Sequence, residues 1–311
     1  MKKKIVIAVD GSIHCAHATR YAAALAPTLP DLNLVLLNIQ PALSQYLTQE
    51  VGDQSHVRKA LANLMAVNER NSRQMLDKAR HQLLQSGIAP ECIEVRTHVR
   101  INGVAQDILD VCQASQYDAV VIGRRGMSRM QELITGSVTA NLLAQSQWTP
   151  IWMVDGEVTN PKTLLASDGS PNSLRAMDHL AFMFHGNLQA ELHVVHVRPR
   201  LHDLLALDLA PETLAATEAA LGSSMQQHID AFRGQAEAVM LRNGLKTQQL
   251  HIQIIESRFA VAGSIMETAR EGGFGAIVLG RSSGAPKSLF VGSVARKVLQ
   301  KTNNMAVWWV P

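Results

Sequence analysis

The chain has 311 residues, of which 47% are apolar, 18% charged and 4% aromatic, with a formal net charge of +3. This balance suits a well-cored globular protein, and without a basic stripe interleaved with aromatics it excludes an evident nucleic-acid binder. Cys15, Cys92 and Cys112 are too few for a disulfide framework, and the apolar run after Met1-Lys-Lys-Lys4 is too short for a signal-peptide core or a membrane span, so a cytoplasmic location is expected.

In chain order, Ile5 to Val9 reads as a buried strand closed by Asp10-Gly11-Ser12. Alternating apolar patterns then predict strands near 4–9, 32–39, 93–99, 118–122 and 150–154, with helices near 13–26, 54–86, 103–115 and 137–146. Gly87 stands where a helix C-cap glycine belongs, and Pro150 precedes the last of these strands. Strands separated by helical crossovers predict a parallel sheet.

The fourth strand, Asp118 to Ile122, runs into Gly123-Arg124-Arg125-Gly126, and Gly136-Ser137 then opens a helix. Glycines at 123 and 126 permit backbone angles closed to other residues and let a ligand approach the main chain. Unpaired amides at the start of the following helix, with the Ser137 hydroxyl, favour a bound phosphate. Plain crossover architecture explains the same residues about equally well on local grounds.

Repetition adds weight to the functional reading. Ile5-Val-Ile-Ala-Val-Asp-Gly-Ser12 returns as Thr163-Leu-Leu-Ala-Ser-Asp-Gly-Ser170 with an offset of 158; Gly87 and Gly123 return as Gly244 and Gly280 with an offset of 157. Gly136-Ser137-Val138 returns as Gly292-Ser293-Val294 with an offset of 156. The drift in register marks a tandem duplication, with domains at 1–156 and 161–311 and a linker-like stretch, 155–162, at the junction.

The spacing G-x2-G-x9-G-[ST], together with Asp-Gly-Ser after the first strand, resembles the universal stress protein family in tandem form. The resemblance covers nearly all of each half. It implies an α/β fold of two Rossmann-like domains of the adenine nucleotide alpha hydrolase-like type. Each would hold a five-stranded parallel sheet of order 3-2-1-4-5 with helices on both faces. It also implies an adenine-nucleotide ligand, ATP or ADP or AMP with or without Mg2+, in some members and none in others.

With that strand order a crevice opens at the carboxyl ends of strands 1 and 4. The resemblance implies that Asp10 contacts the ribose region, that Ile39 packs on adenine, and that Ala8, Val9 and Ile122 lie near the base. Gly123, Arg124, Arg125, Gly126, Gly136, Ser137, Val138 and Thr139 would surround the phosphates; the two arginines are also compatible with simple solvation.

The second-half counterparts are Asp168, Val197, Gly280, Gly284, Gly292, Ser293 and Val294, and here the motif has drifted. Ser283 stands where the second glycine belongs, and seven residues rather than nine precede Gly292. A weakened or altered site is expected. Gly280-Arg281-Ser282-Ser283-Gly284 also spells a hydrolase nucleophile elbow, but residues 283–311 contain no Asp, Glu or His to complete a triad.

Neither a G-x4-G-K-[ST] loop nor a G-x-G-x-x-G fingerprint after the first strand occurs. His14 and His17 share a helix face but lack further ligands at metal-binding spacing, so a solvated or capping role is expected and no metal is assigned. His193 and His196 fall on opposite faces of a strand. Leu61, Leu64, Met65 and Leu76, with Leu221, Met225, Phe232 and Val239, are read as core or interface positions of two long helices rather than a membrane face.

Trp152, Trp308 and Trp309 fall in the last strand of each half. In the family such strands pair across a two-fold axis, implying an intramolecular pseudo-dimer and, beyond it, a homodimer. Three functions follow: a nucleotide-binding stress or regulatory protein, favoured by the intact first-half spacing; a slow ATPase or phosphotransferase in the same crevice; and a nucleotide-free scaffold. No evident general base favours the enzyme, since Asp10 is the one carboxylate placed in the first crevice. Gly126→Val is expected to abolish nucleotide binding by the first half while the fold survives, measured by calorimetric titration beside circular dichroism; unchanged affinity would contradict the assignment.

Overall fold

The structure, a computed structural model, describes residues 2–42, 55–124, 138–198, 211–257, 260–281 and 292–311. The chain divides into two compact units: Lys2–Ala26 with Asp31–Glu157, and Val158–Pro311 with Pro27–Pro30. Arg125, Gly126, Gly136, Ser137 and Gly284 lie outside the described residues.

The first unit alternates β1 (Lys3–Ala8), α1 (Ile13–Leu25), β2 (Leu32–Gln40), α2 (Ser55–Gln85), β3 (Ile93–Val99), α3 (Val104–Ala114), β4 (Ala119–Gly123), α4 (Val138–Gln145) and β5 (Ile151–Asp155). Every pairing within it is parallel, β3 to β2, β2 to β1, β1 to β4 and β4 to β5. The order 3-2-1-4-5 therefore reverses beside β1. Ile5, Val6, Ile7 and Val120 to Ile122 are buried on both sheet faces, which explains continuous apolar runs in place of alternation. α1 packs with α2, and α3 with α4.

The second unit repeats the plan with β6 (Thr163–Ser167), α5 (Pro171–Phe184), β7 (Leu192–Arg198), α6 (Pro211–Arg242), β8 (Leu250–Glu256), α7 (Val261–Glu271), β9 (Ala276–Gly280), α8 (Ser293–Lys301) and β10 (Met305–Val310). Its parallel order is β8-β7-β6-β9-β10. Both long helices end in Schellman turns at glycine. Gly87 (φ 85°) donates to Leu84 and Ile88 donates to Leu83; Gly244 (φ 70°) and Leu245 repeat these bonds to Leu241 and Met240.

One reading of the sequence needs correction and another is narrowed. The stretch read as a linker is partly built into the second unit, because Val158 is buried and Asn160 Nδ2 donates to the Gly273 carbonyl at 2.6 Å. In α2 only the later positions are core. Leu76 is buried, whereas Leu64 and Met65 are 45% and 60% exposed, because a helix of 31 residues outruns the nine-residue strand it covers. Trp152, Trp308 and Trp309 are fully buried, and burial pushes the Cys112 thiol up to about 12, so it stays protonated. Among the described residues, no helix is long and apolar enough to cross a membrane.

Gly123 and Gly280 do not adopt positive φ. They are required by close approach. A Cβ at Gly123 would run into the His14 carbonyl at the start of α1, and one at Gly280 into the Asn172 carbonyl at the start of α5. Gly280→Ala should lower the urea unfolding midpoint, with an overpacking cost of about 1–3 kcal/mol. Gly234→Ala, on α6 with open space around it, should raise that midpoint by the equivalent of about 1 kcal/mol. Equal effects would contradict the packing argument.

Candidate functional site

In each unit the first strand leaves the sheet beside the fourth, and the register sets which residues arrive together. Ile7 pairs with Val121, and Ala8 with Leu37, so Asp10, Ile39 and Arg124 reach one level at the carboxyl edge of the sheet. The Asp-Gly-Ser turn there follows from its residue types. Asp10 Oδ1 accepts from Ser12 N at 2.9 Å, Gly11 takes φ 76°, and Ser12 Oγ accepts from Cys15 N at 3.1 Å as N-cap of α1. Asn38 Nδ2 donates to the Val9 carbonyl at 2.6 Å, and Ser72 Oγ donates to Asn38 Oδ1 at 2.7 Å. This buried pair fixes the floor.

The remaining first-half candidates divide. Ala8, Val9, Ile122 and Gly123 stand at the two strand ends, and Val138 and Thr139 begin α4. Arg124 stands at the carboxyl edge but is not solvated. It is 5% exposed, with Nη1 3.8 Å from Asp155 Oδ2 at the end of β5. Burial pulls Arg124 down to about 10 against the opposing pull of Asp155, so it remains charged at neutral pH. Burial likewise raises Asp155, opposed by Arg124, His14 and His17. His17 Nδ1 is buried with no hydrogen-bond partner among the described residues, which sets aside a solvated role for that nitrogen.

The second unit shows a formed crevice. A cavity of about 430 Å3 is bounded by Asp168, Val197, Gly280, Gly292, Ser293 and Val294, which brings together six of the seven second-half candidates; Gly284 is the one not described. Asp168 Oδ1 accepts from Ser170 N at 3.0 Å and from Ser173 Oγ at 2.6 Å, while Ser170 Oγ caps α5. Burial alone would raise the Asp168 carboxyl, but the hydrogen bonds from Ser170 and Ser173 outweigh it and hold the group below the usual carboxylate range.

Sequence reasoning missed His196, His228, Ser173 and Arg281, which also line this cavity. His196 Nδ1 lies 3.0 Å from the Ser167 carbonyl and His228 Nδ1 lies 2.8 Å from the Ser224 carbonyl. A carbonyl only accepts, so each Nδ1 carries a proton, and the His196 ring when neutral keeps Nε2 as an acceptor. Burial, reinforced by Arg198, pulls His196 down against the Ser167 bond and Asp168. A signal was available: His196 is the counterpart of Asn38 at the offset of 158, and both satisfy the carbonyl before the aspartate.

Gly292 has no side-chain cap to offer at the start of α8, so first-turn amides there, where Gly292 to Ala295 line the cavity, have no side-chain acceptor from the cap. Such a start accepts an anion. The sequence profile of the Universal stress protein family matches residues 1–155 and again 160–308.

The chain belongs to the universal stress protein family.

A universal stress protein of Mycolicibacterium smegmatis is 27% identical over 199 residues, covering 62% of this chain and 63% of that protein, so the match spans less than two thirds of the relative. Among solved structures, a universal stress protein from Archaeoglobus fulgidus aligns with a TM-score of 0.60 at 17% identity, over 99% of this chain and 95% of its own. A functionally unknown protein from Pseudomonas aeruginosa PAO1 aligns at 0.56 and 17% identity, over 99% and 92%. At these identities the structural likeness speaks to the fold.

The depressed Asp168 carboxyl makes the Asp-Gly-Ser turn a contributor to stability that acid removes. Its folded pKa lies below the unfolded one, so its contribution is complete above the unfolded value of about 4 and is lost as pH falls through the folded value. Asp168→Asn should be less stable than the parent at pH 7, with the difference narrowing below about pH 4, as followed by thermal unfolding across pH. A difference independent of pH would contradict the assigned hydrogen bonds.

Proposed function

We propose that this chain is an adenine-nucleotide binding protein with a regulatory or stress-resistance role, holding ATP, ADP or AMP in the crevices at the carboxyl ends of the first and fourth strands. The observation that carries the reading is the second-unit cavity, which joins Asp168, Val197, Gly280, Gly292, Ser293 and Val294 at the start of α8. Its volume of about 430 Å3 lies in the usual range for small-molecule sites. Phosphates at the α8 amides would meet favourable dipoles, and Val197 offers apolar surface to a base. Arg281, on the cavity wall, adds a cation beside the anion position. The intact loop spacing of the first half supports an equivalent site there.

A second reading, a nucleotide-free scaffold, is favoured by one fact: Asp10, Ser12 and Gly123 each have a structural task that needs no ligand. The slow ATPase reading draws less support, because the Asp168 carboxylate is engaged by the turn it caps. Ser293→Glu and Val138→Glu separate these readings. A glutamate in the first turn suits the helix dipole, so folding should persist, while its charge repels a phosphate. Titration with ATP, with and without Mg2+, should show each variant losing one site, with affinity there reduced by about tenfold or more. Binding unaffected by both variants would contradict the crevice assignment, no binding in the parent would favour the scaffold, and Mg2+-dependent phosphate release would favour the enzyme.

A further inference from the structure

Between α7 and the edge strand β8 of the second unit lies a hollow of about 710 Å3 that takes no part in the crevice. Three carboxylates border it, Glu256 from the end of β8 and Glu267 and Glu271 from one face of α7. Ser264, one turn before Glu267, also lines it. The residue is 2% exposed and its Oγ has no hydrogen-bond partner among the described residues. A buried hydroxyl without a partner is costly unless something completes it.

The internal repeat shows what the first unit keeps in this position. Arg96 pairs with Leu37 and Gln253 with Val195, so Arg96 and Gln253 are counterparts. Arg96 Nη1 donates to Ser115 Oγ at 2.8 Å and to Tyr117 Oη at 3.1 Å. At the same offset of 157, the second unit has Gly272 and Phe274, both lacking the hydroxyl, and it has Glu256 and Glu271 where the first has Val99 and Ala114. A built-in guanidinium and both of its acceptors are gone, and carboxylates border the space.

We propose that this hollow binds a small organic cation carrying guanidinium or primary ammonium groups. Among the described residues no cluster gathers closely enough to hold a metal ion, so carboxylates distributed in this way suit a cation extended over several atoms rather than a point charge. Exposed ion pairs each contribute under about 1 kcal/mol, which favours a ligand with more than one positive group. The Phe274 ring already holds Lys162 Nζ at 4.5 Å from its centroid, so recognition falls to the carboxylates and the Ser264 hydroxyl.

The test is calorimetric titration of the full chain with agmatine, which has a guanidinium at one end and an ammonium at the other, with spermidine as a second probe and Mg2+ as a competitor. Saturable binding of one agmatine per chain is expected. Glu267→Gln with Glu271→Gln should weaken it by about tenfold or more. Gln253→Arg, at an exposed strand position, restores the first unit's internal cation and should abolish binding, with an unchanged circular dichroism spectrum showing that the fold is retained. The proposal is overturned by absence of saturable binding up to about 10 mM, by unchanged affinity in these variants, or by Mg2+ displacing agmatine at equal concentration.

Discussion

Where the strand order of each unit reverses, the first turn of a helix lies against the end of the neighbouring strand with no room for a side chain between them. Gly123 meets the His14 carbonyl, and Gly280 meets that of Asn172. The missing side chain lets the helix start approach the strand this closely, and so places the Asp-Gly-Ser turn that feeds it. The turn then secures itself: the aspartate accepts from the serine amide, and the serine caps the helix. The crevice edge thus has a fixed wall before any ligand is considered, which is the preorganisation that binding needs.

The two units use one frame with different charge chemistry. In the first, Arg124 is drawn down beside Asp155, and desolvation dominates the shifts of both groups. Such a pair adds little net stability while both partners are present, but removing one strands the other in a buried place. In the second, Pro311 stands at the position of Asp155, at the offset of 156, and Arg281 forms part of the cavity wall. The second unit has also exchanged Arg96 for Gln253 at its far edge. One copy holds Arg124 and the half-buried Arg96 in contacts of its own, while in the other Arg281 and Gln253 line cavities at the corresponding places.

Much of the fold was legible because buried parallel strands and amphipathic helices leave distinct periodicities, and because Gly87 and Gly244 end long helical runs at the same place in each copy. The reason for Gly123 was not legible. Sequence alone does not separate a glycine needed for its angles from one needed for a close approach, since the opposing carbonyl belongs to another element. The burial of Arg124 was hidden for a similar reason: its partner lies a strand away, and two adjacent arginines look solvated in isolation. The reach of α2 was hidden because helical spacing says nothing about where the underlying sheet stops. Of the candidate site, the turn and the start of α8 were legible from motif spacing; His196 was marked only by its counterpart Asn38, and His228 by nothing, because which side chains of a long helix border a cavity depends on the elements packed beside it.

Hydrogen exchange of the freshly purified chain, with and without saturating ATP, tests the crevice assignment most directly. If nucleotide sits at the strand reversal, protection should rise at the amides of Ser293 to Arg296 and of Asp168 to Ser170, with a matching rise at Val138 to Asn141 and Asp10 to Ser12 if the first unit is also occupied. Protection confined to other surfaces, or no change at an ATP concentration that saturates binding, would contradict it.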